Sequence, residues 1–439
     1  MNRPENSDGI PAVYAERRAR LAALIQRGVA VVPTAPEQTR NRDSHYPYRY
    51  DSYFYYLTGF PEPEAVLVLI AGEQSRSVLF CRDKDAEREI WDGHRYGLEQ
   101  AREQFRFDES HAISELDAVL PKLLADQPAL YCHLGSDARW DERILKCLNA
   151  VRAQARAGVA APAAIYDVRT LIDEMRLLKD AHELGIMRGA ARISTDAHRR
   201  AMSAVKPGRA EFEIEAELLH EFRRCRAQPA YSSIVAGGAN ACVLHYVSND
   251  AVLSAGELLL VDAGCELDGY AADITRTYPV SGTFTPAQRD LYQMVFAAQA
   301  AAIAAVKPGA AWTAPHDAAL RVLAQGLIDF GLCQGSVEKV IEAGDYKRFY
   351  MHRTGHWLGL DVHDAGDYKR DGEWRELEAG MVLTVEPGCY VRAGDGVPPH
   401  FANTGIRIED DVLVTESGHE VLTDAAPKSV EAIETLMRG

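Results

Sequence analysis

The sequence has no apolar run long enough to cross a bilayer. Tracts such as residues 65–71 and 297–306 fall well short of the roughly 20 residues a membrane helix needs, so no membrane partner is expected. The first eight residues, MNRPENSD, have no apolar stretch behind them, and no secretory signal is expected. Positive charge is also short: 48 Lys plus Arg stand against 64 Asp plus Glu, a formal net charge of −16. That balance argues against a chain built to grip nucleic acid or an anionic surface, because such binding is driven by Lys and Arg. It leaves a surplus of carboxylates, some of which can serve as metal ligands. The eight cysteines at 81, 132, 147, 225, 242, 265, 333 and 389 include no C-x-x-C pair. This removes the zinc-ribbon and thioredoxin signals, and free thiols in a reducing cytoplasm are expected. What is present is ordinary globular composition: 439 residues, 47% hydrophobic and 26% charged, enough for two or three domains.

Residues 12–27 carry helical periodicity up to Gly28, and residues 29–35 read as a strand. Residues 65–72 and 76–82 read as a hairpin, and 129–135 as a further strand. From 168 to 202 a long helical pattern opens a second domain. The expected fold class is α/β, with an N-terminal α/β domain over residues 1–172 and a second domain over 173–439. The second domain contains an echo: Ala-Val-Lys-Pro-Gly at 204–208 recurs at 305–309. Each copy follows a helix, precedes another, and is followed later by an apolar strand ending in an acid (LLLVDAG, 258–264; MVLTVEPG, 381–388). The matching order of elements points to duplication.

Asp262 ends one of these strands, and Asp268-Gly269 is a strong two-residue hairpin signal. With those two as the loop, 267 pairs with 270 and 262 lies opposite 275. Asp273 is then on the same face as Asp262. Further donors follow: His356 in HRTGHWLGLDVHD, Glu386 at the end of MVLTVE, and Glu409 in GIRIEDDVLVT, where alternation puts Arg407 and Glu409 on one face. Any one of these acids alone is more often a solvated or capping residue; the set is what matters. Asp262, Asp273, Glu386 and Glu409 supply four negative charges, which two divalent cations would balance. Oxygen ligands with one imidazole favour Mn²⁺ or a similar ion over a thiolate-bound structural zinc. Two such ions about 3.5–4 Å apart acidify a water between them, which points to hydrolysis.

The stretches VDAGCELDGYAADITRTYPVSG, GHWLGLDVHD, VLTVEPGCY and GIRIEDD resemble the "pita-bread" metallopeptidases, and among them aminopeptidase P most closely; RNRDSHYPYRYDSYFYYLTGFPEPEA (40–65) resembles that family's N-terminal domain. The resemblance runs from about residue 10 to 425. It implies a pseudo-twofold catalytic domain over 173–439 and two metal ions held by Asp262, Asp273, His356, Glu386 and Glu409, with Asp273 and Glu409 bridging. Glu386, His245, His363 and Arg407 would form the catalytic group. His245, His352, His363 and Tyr390 would contact substrate, although Tyr390 is equally compatible with packing and Arg407 with holding a carboxylate. Cys389 stands where the family usually has an apolar residue, and is expected to pack.

The implied reaction removes the N-terminal residue from peptides with proline in second position. An Xaa-Pro amide has no N–H and restricted geometry, so peptidases that grip an extended backbone handle it poorly. The nearest rival is prolidase, which uses the same five ligands on dipeptides only. A non-catalytic module of the same fold that binds peptides is more remote, because all five ligands are retained. Methionine aminopeptidase lacks so large an N-terminal domain. The resemblance also implies a homo-oligomer, dimer or tetramer, in which Trp91 could reach a neighbouring pocket.

Overall fold

A computed structural model describes residues 10–394 and 396–438; the reading of the first eight residues lies outside them. The chain divides into two compact units, Met1–Met175 and Arg176–Gly439.

The first unit is built on a six-stranded sheet. Its strands are β1 (Gly28–Pro33), β2 (Val66–Ala71), β3 (Arg76–Cys81), β4 (Glu109–Ala112), β5 (Ala129–Cys132) and β6 (Ala164–Asp167), in the order β4-β3-β2-β1-β5-β6. β2 pairs antiparallel with both β1 and β3, giving the expected hairpin, and the remaining pairs are parallel. β1 and β2 read as unbroken apolar runs because the sheet is covered on both faces. Helix α1 (Ile10–Ile25) precedes the sheet. Helices α2 (Leu116–Leu124) and α3 (Ala138–Arg152) turn Leu116, Leu120 and Leu124, and Ile144, Leu148 and Val151, onto Val29, Val31, Val66 and Val68. These i, i+3 and i+4 spacings make one apolar stripe per helix.

The helical pattern expected over 168–202 is broken. One helix ends at Leu177 and α4 (Ala181–Ala204) begins after Asp180. Asp180 and Glu183 form a capping box, each carboxylate accepting from the other's backbone N–H at 2.9 Å. Those bonds stabilise a helix start at a place where periodicity alone suggests continuation. α5 (Glu211–Arg224), α6 (Pro286–Ala305) and α7 (Ala314–Asp329) are the other long helices of the unit.

The echo is visible in the architecture. α4 and α6 end at Ala204 and Ala305, and each Val-Lys-Pro-Gly linker turns at a positive-φ glycine, Gly208 at 90° and Gly309 at 77°. Each linker feeds a helix, then a three-stranded antiparallel sheet. The first sheet is β7 (Ile234–Gly237), β8 (Leu258–Asp262) and β9 (Thr275–Pro279), with β8 central. The second comprises β10 (Val382–Val385), β13 (Asp410–Thr415) and β14 (Gly418–Val421), with β13 central; β11 (Gly388–Val391) and β12 (Thr404–Arg407) pair between them. Leu218, Phe222, Leu291, Val295 and Leu323 from the helices share one core with Leu259, Val261, Leu383 and Val385 from the strands. The unit is thus of mixed α/β class. Its two central strands carry acids to the same region.

Candidate metal centre

The hairpin register is as the turn residues dictate. Asp268 and Gly269 have φ of 46° and 90°, Leu267 pairs with Tyr270, and Asp262 with Thr275. Between the paired segments the strands stay hydrogen-bonded, Ala263 N to Ile274 O and Ala272 N to Cys265 O at 3.0 Å each, and they close in at Gly264, where a Cβ would lie 1.7 Å from Ala272 O. Only glycine fits there, and the unbroken register puts Asp273 on the same face as Asp262. The hydroxyl of Tyr231 donates to Asp262 Oδ1 at 2.7 Å and also reaches Asp273 Oδ1. A hydroxyl has one proton, so the two carboxylates it spans cannot both be satisfied by it.

The second set of donors comes from a segment that runs beside β10. Glu386 N donates to Thr354 O at 2.7 Å and Thr384 N to His356 O at 2.9 Å. Gly355 permits this approach, since a Cβ would stand 2.0 Å from Thr384 O. His356 Nδ1 lies 2.9 Å from Trp357 O. Donation there puts the ring proton on Nδ1 and leaves the Nε2 lone pair facing Asp273 Oδ2 at 3.6 Å and Glu386 Oε1 at 3.8 Å. Glu409 completes the cluster: ligand atoms of Asp273, His356 and Glu409 all lie within 4.8 Å of one another.

Around these side chains is a second ring of bonds. Thr275 Oγ1 donates to Glu409 Oε2 at 2.6 Å. Arg407, 4% exposed, donates to Asp262 Oδ2 at 2.5 Å, Thr275 Oγ1 at 3.1 Å and Tyr390 Oη at 3.0 Å. Tyr390 is fully buried and its hydroxyl lies 2.9 Å from His352 Nε2. Asp411 accepts from Asp273 N. Arg276, buried with Asp410 at 2.7 Å, also donates to Glu409 O and so anchors the backbone that carries Glu409. His363 stands edge-on to His356 with ring centroids 4.3 Å apart. His245 is exposed on the loop after the turn Gly238–Cys242, and its charge adds to those that lower the pKa of His352 and His363.

Tyr231, Thr275, Arg276 and Asp411 were not singled out from the sequence. Asp411 and Thr275 follow from alternation, two residues beyond Glu409 and Asp273. Tyr231 carries no periodic signal. Cys389 is buried in the hydrophobic core, and burial pushes its thiol pKa up.

The electrostatics fit bound cations. Burial, then the charge of Asp262, raises Asp273 well above the carboxylate range. Burial with Asp273 and Asp262 does the same for Glu409, and burial with Asp273 for Asp411. Glu386 is lifted to about 8 by burial and then by Glu409. Arg407 is one cation facing Asp262, Asp273, Glu386 and Glu409, and its single charge does not neutralise the four. Such a cluster holds protons unless cations replace them. Oxygen donors with one imidazole of fixed tautomer are a donor set for a divalent ion.

The profile of metallopeptidase family M24 matches residues 185–416, and that of the aminopeptidase P N-terminal domain matches 14–131. The chain is 44% identical over 427 residues to an Xaa-Pro aminopeptidase of Haemophilus influenzae, covering 97% of this chain and 96% of that one. It is 43% identical to an Xaa-Pro aminopeptidase of Escherichia coli, covering 97% of each. Among solved structures, the aminopeptidase PepP of Pseudomonas aeruginosa superposes with a TM-score of 0.96 at 47% identity over 98% of both chains. A zinc-substituted E. coli aminopeptidase P in complex with product superposes with a TM-score of 0.95 at 43% identity, again over 98% of both.

Proposed function

The chain belongs to metallopeptidase family M24, among its Xaa-Pro aminopeptidases, and from that premise we propose that it releases the N-terminal residue from peptides with proline in second position. The observation that carries the reading is the convergence of Asp273, His356 and Glu409 beside Asp262 and Glu386. We assign these five as ligands of two divalent ions, Mn²⁺ by donor type. Bound there, the ions supply Lewis-acid polarisation of the scissile carbonyl and acidify a water.

The protein's own groups do the rest. Tyr231 and Arg407 hold the Asp262 carboxylate, and Thr275 holds that of Glu409, so the donors meet substrate already oriented. Glu386 takes the proton from the attacking water and carries it to the prolyl nitrogen, which must be protonated to leave. A carboxyl group that accepts a proton and then returns it serves both transfers in turn. His245 donates to the developing oxyanion. His363 and His352 line the substrate side, and Tyr390 fixes His352 and Arg407 through its hydroxyl. Burial and then Arg407 lower His352 to about 4, so it stays neutral at working pH. The free α-amino group of the substrate would lie against a metal or one of its acidic ligands, which enforces exopeptidase action.

Longer peptides rather than dipeptides are the proposed substrates, because the relatives matched over nearly the whole chain are Xaa-Pro aminopeptidases. A homo-oligomer is proposed on the helix Ala86–Asp92, which buries none of its residues and exposes Ile90 (80%) and Trp91 (84%). A cytoplasmic setting is proposed on eight unpaired cysteines, seven of them buried. No helix among the described residues is long and apolar enough to cross a membrane.

The test is turnover of Xaa-Pro-Yaa, Xaa-Pro and Xaa-Ala-Yaa by the Mn²⁺-loaded chain. Release of Xaa from the first alone, or from the first far faster than from the second, is expected. Turnover confined to Xaa-Pro would make it a prolidase, and turnover of none would end the assignment.

A further inference from the structure

A histidine outside the ligand set holds the segment that carries two of the site's imidazoles. His316 lies in the first turn of α7. Its Nδ1 is 2.8 Å from Oγ1 of Thr354, and Tyr350 Oη is 2.5 Å from the same oxygen. Thr354 is buried at 3% exposure. Its hydroxyl has one proton, so it donates to one neighbour and accepts from the other. Both contacts are needed to satisfy it.

Thr354 occupies a critical place. Its carbonyl accepts from Glu386 N. Two residues to either side are His352 and His356. The segment from 351 to 356 has no strand of its own. Its position against β10 rests on a few bonds: Glu386 N to Thr354 O, Thr384 N to His356 O, and His356 N to Thr384 Oγ1 at 3.1 Å. The rings of Tyr350 and His352 meet edge-on at 4.9 Å, so the same anchor extends to His352. A cavity of about 20 Å³, lined by His316, Trp312, Arg353 and Leu383 among others, adjoins this contact. We propose that His316 is a positioning residue: through Thr354 it sets the distance between His356 and Glu386. The proposal rests on the metallopeptidase reading for its consequence in catalysis, but its consequence for metal affinity stands apart from any substrate.

The experiment uses the full chain with His316→Leu, Thr354→Val, both together, and His316→Asn, whose amide can place a polar atom where Nδ1 stood. Mn²⁺ affinity is read by calorimetry, kcat and KM on an Xaa-Pro-Yaa peptide, and Tm by thermal scan. His316→Leu and Thr354→Val are each expected to weaken Mn²⁺ binding and lower kcat by about 10–100-fold, as for other groups that orient metal ligands, with KM little changed. The double variant is expected to be no worse than either single one, and His316→Asn to recover most of both losses. The proposal is overturned if His316→Leu keeps wild-type Mn²⁺ affinity and kcat, if the two losses multiply, or if His316→Asn is as impaired as His316→Leu. Should His316→Leu not fold, His316→Gln, whose amide lies beyond the Nδ1 position, replaces it with the same expectations. A wild-type chain that binds Mn²⁺ but cleaves no Xaa-Pro peptide would count against the peptidase reading, while calorimetry still decides the role of His316.

Discussion

Stripping the metal should make stability fall as pH rises through neutrality, against the usual trend for acids that are paired in the folded state. Glu386 is lifted from 4.5 to about 8 by burial and by Glu409. Between those values the folded chain keeps a proton that the unfolded chain has released, so unfolding becomes more favourable with each step up in pH. Asp273, Glu409 and Asp411 are raised by the same causes and act in the same direction. The buried histidines act oppositely. His198 and His352 are lowered from 6.5 to about 4, mainly by burial. The unfolded chain therefore binds more protons than the folded one between those values, and their contribution is complete above 6.5 and lost as pH falls. The window from 6.5 to 8 isolates the carboxylates. At about 1.4 kcal/mol per pH unit per proton, Glu386 alone would cost about 2 kcal/mol across that window. For a unit of this size that is about 4–8 °C in Tm. The assay is thermal unfolding by circular dichroism after EDTA treatment, at several pH values, repeated with Mn²⁺. Because ligands bind metal deprotonated, Mn²⁺ should stabilise more at higher pH and remove the decline. A metal-free Tm that is flat or rising from pH 6.5 to 8, or one that Mn²⁺ does not alter, would refute the electrostatic reasoning.

Other substitutions probe separate parts of the account. Tyr231→Phe removes the hydroxyl shared by Asp262 and Asp273; Mn²⁺ affinity by calorimetry is expected to drop about 10–100-fold, and an unchanged affinity would deny the hydroxyl an orienting role. Gly355→Ala forces a Cβ to within 2.0 Å of Thr384 O; a loss of about 1–3 kcal/mol in urea unfolding is expected, with activity falling alongside, and a neutral result would mean the segment can move freely from β10. Lys179 and Asp364 form a buried ion pair at 2.8 Å in which Arg176 also takes part. Lys179→Met leaves Asp364 with Arg176 alone of these two cations and is expected to cost about 3 kcal/mol, whereas a change under about 0.5 kcal/mol, the scale of an ordinary surface substitution, would contradict that.

The parts of the site that follow a local rule could be read from the sequence. Asp268-Gly269 permits one tight turn, that turn sets the pairing of Asp262 with Thr275, and alternation then puts Asp273 on the inner face. Glu409 beside Arg407, and the repeated Ala-Val-Lys-Pro-Gly linker, are legible for the same reason: a period or a turn chemistry dictates them. Asp411 obeys the alternation too, two residues after Glu409, and accepts from Asp273 N. What was not legible depends on contacts between distant segments. Tyr231 meets two acids that lie 31 and 42 residues further on, and His316 meets Thr354 across 38 residues. No spacing rule connects such pairs, because packing of the layers sets them. The break before α4 was hidden for another reason. Asp180 and Glu183 form a cap inside a stretch whose apolar periodicity runs on without interruption.

The most direct trial of the central claim is a count of Mn²⁺ ions per chain, by calorimetry with elemental analysis, for the wild type and for Glu409→Gln. Two equivalents on the wild type, with at least one lost or greatly weakened in the variant, is the predicted result. Fewer than one equivalent on the wild type, or two bound equally well when Glu409 has lost its charge, would contradict it.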